Sequence, residues 1–138
     1  IEFPYLDIES ASEEEKKSFR NLIKQHIIDY GGVYVSTIAP DNRSGDCYDS
    51  TYDMIHQTRE CNFEDDNPYH SMLIIGWDDT YGPDYDGNGK GDGAWILKNS
   101  WGNGNHPYPY LSYNSIEVNY AGIKSIIVLI LMINRLII

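Results

Sequence analysis

Between residues 13 and 30 the apolar positions fall three and four apart, at Phe19, Leu22, Ile23, Ile27 and Tyr30. That is the spacing of one face of an α-helix. Ser12 followed by Glu15 forms a capping box, and Glu13 and Glu14 complete an acidic first turn that suits the helix dipole. Gly31 and Gly32 then stop the helix. The pattern therefore predicts a helix over Glu13–Tyr30. His26 lies between its apolar positions and reads as a partly buried structural histidine.

After the helix the period changes. Val33–Ile38 is rich in β-branched residues and reads as a strand. Residues 41–68 are polar and punctuated by Asn, Asp, Gly and Ser, which is long for a structureless connection. That stretch is either a functional loop or carries short elements the pattern does not reveal. Residues 70–77 read as a buried strand, 80–93 as a Gly- and Asp-rich loop, Ala94–Lys98 as a third strand and 110–116 as a fourth. Residues 123–133 are a candidate fifth. Within them Ile126 to Ile133 are eight consecutive apolar residues, which fit a strand buried on both faces.

Composition narrows the classes. With 10 basic and 21 acidic side chains in 138 residues the net charge is −11, which repels phosphate backbones and argues against nucleic-acid binding. The apolar tail is far short of the ~20 residues that span a bilayer, so no membrane segment is expected. One domain over 1–138 is the default at this length, with 123–138 as an apolar tail. Ile1 to Ser10 carry no initiator Met, basic n-region or signal h-region, so a processed or cut chain is expected. The two cysteines, Cys47 and Cys61, either pair across a loop of about 15 residues or remain free thiols. Neither has zinc-site spacing.

The chemistry concentrates in two segments. His70 opens one apolar strand, and Asn99 closes the next. If these strands are antiparallel neighbours, the start of one lies beside the end of the other, and the two side chains can touch. An amide oxygen that accepts the proton of one imidazole nitrogen fixes the tautomer and turns the other nitrogen outward, ready to take a proton from a nucleophile. Trp101 is placed to shield that bond from water, which strengthens it.

His70 to Trp77 and Lys98-Asn99-Ser100-Trp101-Gly102 together resemble the C-terminal half of papain-like cysteine peptidases. That family places its catalytic histidine in an H-A-x-x-x-x-G-[YW] strand and its orienting asparagine in K-N-S-W-G. The stretch from Ile23 to Ser36, a helix ending in Tyr-Gly-Gly before Val-Tyr-Val-Ser, is similar to the family's segment ahead of the histidine. Leu111-Ser112-Tyr113 is similar to the strand after the asparagine. The resemblance implies an α+β domain: a curved or barrel-like antiparallel sheet with one packed helix. It implies His70 as general base and acid, Asn99 as its orienter and Trp101 as the shield, acting on a polypeptide substrate without a cofactor or metal.

The departures are as informative. The family's nucleophilic cysteine sits in a Q-x-x-C-G-x-C-W-A-F stretch, generally more than 100 residues before the histidine. Only 69 residues precede His70, and none match. Cys47 and Cys61 both have acidic neighbours, which raise a thiol pKa and disfavour the nucleophilic thiolate. The oxyanion-hole glutamine is absent too. The expectation is a chain that holds the histidine half of a catalytic pair, with the cysteine on a missing N-terminal half. The alternative is a non-catalytic peptidase-like binding or structural module.

Two other features point elsewhere. Asp84, Asp86, Asn88 and Asp92 present oxygen ligands at alternating positions like the first part of an EF-hand loop, with Lys90 offering its carbonyl. Position twelve of that pattern falls on Trp95 and no helices flank it. The loop reads as a flexible acidic hairpin loop or, alternatively, as a calcium site stabilising the module. His106, between glycines and prolines, reads as a solvated loop residue. The acidic, tyrosine-rich composition, with the family's habits, suggests an extracellular or cell-surface location.

Overall fold

The computed structural model describes residues 2–61, 69–102, 104–116 and 118–122. The helix α1 runs over Glu13–Tyr30, and its ends are those the pattern predicts. Ser12 Oγ accepts the Glu15 N–H at 3.2 Å, and Glu15 Oε2 accepts the Ser12 N–H at 2.8 Å. Gly31 closes the helix at φ 92°, a left-handed conformation that costs glycine little, and its N–H reaches the Ile27 carbonyl.

Seven strands follow: β1 (Val33–Ile38), β2 (Tyr48–Asp49), β3 (Met54–Ile55), β4 (Tyr69–Asp78), β5 (Ala94–Lys98), β6 (Tyr110–Ser112) and β7 (Asn119–Gly122). They form one sheet in the order β2-β3-β6-β5-β4-β1-β7. All neighbours are antiparallel except the β3–β6 pair. The α+β class is as expected, but the sheet is open: β2 and β7 are its edges among the described residues. The N-terminal arm partly covers one edge, where Glu2 bridges Ala121 on β7.

Helix α1 packs on β1 and β4. It contributes Ile23 and Ile27 to a core completed by Val33, Val35, Met72, Ile74, Trp95, Leu97 and Leu111. Full burial of each such side chain is worth roughly 1.5–3 kcal/mol. Lys24 fastens the helix to the β4–β5 hairpin by pairing with Asp79 at 2.6 Å. Gly93 lets Tyr113 close on the start of β5: a Cβ there would lie 2.5 Å from the ring, and φ is 94°.

Several predicted elements change shape. The long polar stretch carries a 3₁₀ helix over Asn42–Cys47 and the two short strands β2 and β3, closed on itself by Cys47 and Cys61 and joined to the body where β3 pairs with β6. These cysteines form a disulfide with a Cα–Cα distance of 5.5 Å. The strand expected over 110–116 ends at Ser112, where the Ser115 N–H returns to the Ser112 carbonyl in a turn. Strand β7, pairing with β1, takes the outer place that the pattern left empty. The apolar tail, 123–138, lies outside the described residues. No helix among those residues is long and apolar enough to cross a membrane.

Candidate active site

Strands β4 and β5 are antiparallel neighbours, paired from Asp78↔Ala94 to Leu73↔Lys98. The register slips between Ile74 and Gly76, a bulge that leaves Ile75 outward at 37% exposure inside an otherwise buried run. Beyond Leu73 the start of β4 lies beside the end of β5. His70, half-buried and opposite Thr37 of β1, thereby meets Asn99, the first residue after β5.

His70 Nε2 lies 2.7 Å from Asn99 Oδ1. The contacts of Asn99 decide which atom is which. Its Oδ1 accepts the Ser100 backbone N–H at 2.7 Å, and its Nδ2 donates to the His106 carbonyl at 3.0 Å. A backbone N–H only donates and a carbonyl only accepts, so the amide has one orientation. Oδ1 therefore faces the imidazole, and Nε2 carries the proton it donates. In the neutral ring Nδ1 then bears the lone pair, and among the described residues it makes no hydrogen bond. This is the arrangement of a base held ready at one nitrogen.

Burial makes the arrangement firm. Asn99 is 6% exposed, so an unpaired amide there would cost about 1–3 kcal/mol. Trp101 lies on the His70 ring with centroids 4.7 Å apart, and the Arg43 guanidinium sits 5.8 Å over the indole while pairing with Asp41 at 2.9 Å. Asp41, Arg43, Trp101, Asn105 and His106 line an open cavity of about 320 Å³ that shares Trp101 with the site.

Neither Cys47 nor Cys61 joins this site. Both thiols are consumed by the disulfide, which removes them as nucleophiles. His26 is buried at 7% between the rings of Phe3 and Tyr30, a structural position. Asp84, Asp86 and Asp92 converge so that one oxygen of each lies within 4.8 Å of the others. Both oxygens of Asp84 already accept backbone N–H groups of Asn88 and Gly89, and these bonds hold its carboxyl below the usual carboxylate range.

One reading of the sequence needs correction. His106 sits in a loop, as expected, but it is not merely solvated. Its ring pairs with Asp53 at 2.7 Å and its carbonyl holds Asn99. Asp53, Tyr48 and Arg43 also reach the neighbourhood of the site unannounced. The short elements and turn that carry them are placed by tertiary contacts, and no local spacing marks them.

An α+β fold with a histidine and an asparagine hydrogen-bonded at one end of its sheet is what the resemblance in the sequence leads one to expect. The family comparison agrees: the Papain family cysteine protease model matches residues 5–130, and the chain belongs to that family. Among solved structures, the chain is similar to the cysteine protease and lectin-like domains of Cwp84, a surface layer associated protein of Clostridium difficile. That match has a TM-score of 0.50 and 26% identity over 75% of this chain and 23% of the other. Clostridial Cwp84 after propeptide cleavage is similar at a TM-score of 0.47 and 26% identity, over 74% of this chain and 26% of the other. The chain thus spans about a quarter of those structures. No curated protein matches it.

Proposed function

We propose that this chain supplies the base half of a cysteine-peptidase active site and works on polypeptide substrates with a cysteine carried outside it. His70 is the general base and acid, Asn99 its orienter and Trp101 the cover over their hydrogen bond. The observation that supports this most is the 2.7 Å contact from His70 Nε2 to an amide oxygen whose orientation two backbone partners fix. Family membership supplies the reaction class.

The chemistry follows from the bare Nδ1. It takes the proton of the incoming thiol, and the resulting imidazolium is stabilised by its Nε2–H bond to Asn99. The thiolate adds to the peptide carbonyl carbon. As the tetrahedral adduct collapses, Nδ1–H protonates the departing amine nitrogen, and a thioester remains. A water then gives its proton to Nδ1 and adds to the thioester, which releases the acid and returns the sulfur to His70. An extracellular or surface setting suits the disulfide, which persists in oxidising compartments, and the surface association stated for Cwp84 points the same way.

A second reading is a peptidase-like module without catalysis, favoured by the disulfide that occupies both thiols of the chain. Combining the chain with a cysteine-bearing N-terminal half separates the two. The first reading expects thiol-dependent peptide hydrolysis that His70→Ala reduces by about 10²–10⁴. Hydrolysis indifferent to that substitution, or none at all, overturns it.

A further inference from the structure

The amide nitrogen of Asn99 donates to one carbonyl, that of His106. Where that carbonyl points is set by the backbone of residue 106, which has φ 46°. Side-chain-bearing residues are uncommon there, Asn, Asp and His being the most tolerant, and holding one there still costs energy. The ring explains how the conformation is held. His106 Nδ1 lies 2.7 Å from Asp53 Oδ1, and since a carboxylate only accepts, Nδ1 donates. Tyr48 donates its hydroxyl to the same oxygen at 2.7 Å and lays its ring edge-on to the imidazole. Burial, then the bond to Asp53 and its charge, push the Tyr48 hydroxyl far above its ordinary pKa, so it keeps its proton. Asp53 is itself at φ 47°, and its carbonyl accepts the Tyr110 N–H at 2.8 Å, tying it to the start of β6. Asp53 and His106 are the two non-glycine residues with positive φ among the described residues, and they are bonded to each other. Paired strain of this kind persists only where its surroundings over-determine it, and it gathers at functional sites.

We propose that His106 is a positioning residue: anchored through its ring by Asp53 and Tyr48, it aims its carbonyl at Asn99 Nδ2 and keeps Asn99 Oδ1 turned toward His70. The proposal rests on the His70–Asn99 pairing described above. Its consequence is chemical. Were the amide to turn over, an NH₂ group would face His70 Nε2, which would then have to accept. The ring proton would move to Nδ1, and the nitrogen meant for the thiol would lose its lone pair.

The test is the exchange of the His70 Nε2 proton with water, followed by NMR in the full-length protein labelled with ¹⁵N-histidine. His106→Gly removes the ring and relieves the backbone strain. Asp53→Gly removes the anchor from the other side with the same relief, and reads the same bond should the first variant not fold. His106→Asn is the rescue, because asparagine tolerates this φ and places an amide N–H where the imidazole Nδ1–H stood. We expect slow exchange in the parent, exchange about tenfold faster in both glycine variants, the weight of one hydrogen bond, and near-parent exchange in His106→Asn. A glycine variant that folds and exchanges as slowly as the parent overturns the positioning role and leaves the pairing intact. Fast exchange in the parent, equal to that of Asn99→Ala, overturns the pairing itself.

Discussion

The β4–β5 hairpin has polar residues at both ends, and the two ends behave differently. At the open end, His70, Asn99, Ser100 and His106 are joined so that the carboxamide nitrogen donates to a carbonyl that only accepts and its oxygen meets two donors. Asn99 is buried there, and low dielectric makes each bond worth more and each loss dearer. At the loop end, Asp84, Asp86 and Asn88 are held by short-range bonds within their own loop, Asp92 accepts from Asn114 Nδ2 at 3.2 Å, and Asp84 and Asp86 are exposed to water. Both ends are rich in chemistry-bearing residues. Complementary partners and burial separate a site from a solvated turn.

That contrast can be broken at several points. The largest effect belongs to the open end, where Asn99→Ala in the assembled peptidase should lower kcat/KM less than His70→Ala does, because the base remains while its orientation is lost. Equal losses in steady-state kinetics would mean that the amide does more than orient. Next is the disulfide. Replacing Cys47 and Cys61 together with Ala should lower the unfolding free energy in urea by about 3 kcal/mol, from the chain entropy of a loop of this length. An unchanged midpoint would show that the 41–61 segment is held without it.

Asp79 stands where β4 passes into the loop. Burial raises its carboxyl, but the bonds from Lys24 and the Tyr113 hydroxyl outweigh that and leave it below the ordinary carboxylate value. A folded-state pKa below the unfolded one gives stabilisation that is present above the unfolded value and fades as pH falls through the folded one. Asp79→Asn should therefore cost about 0.5–1 kcal/mol near neutrality, a figure discounted for the exposed carboxylate, and flatten the acid limb of the stability curve. A variant whose acid limb matches the parent's would remove Asp79 from that account. The smallest effect is expected in the loop. With Asp84 already occupied by backbone N–H groups, calcium and chelator alike should leave the melting temperature unchanged. A calcium-dependent rise that Asp84→Asn abolishes would make the loop a second chemical region and erase the contrast.

Legibility in the sequence followed the range of the forces involved. Helix α1 was readable because its cap, its apolar face and its glycine stop are all local. Strands β1 and β5 were readable from their β-branched and apolar runs. The bulge at Ile75 was not, since a continuous apolar run hides a register slip. Strands β2 and β3 were invisible because each has two residues and forms through tertiary partners, β3 by pairing in parallel with β6. Within the site, His70 and Asn99 were legible through their flanking strands and their motif. His106 and Asp53 were not: their backbone angles and mutual bond arise only once β2, β3 and β6 are side by side.

The central claim is a proton on one atom. Neutron diffraction from crystals of the protein exchanged into deuterated water would locate it directly. The account predicts a deuterium on His70 Nε2 directed at Asn99 Oδ1. A ring with Nε2 bare, or with the Asn99 amide nitrogen turned toward it, would contradict the account.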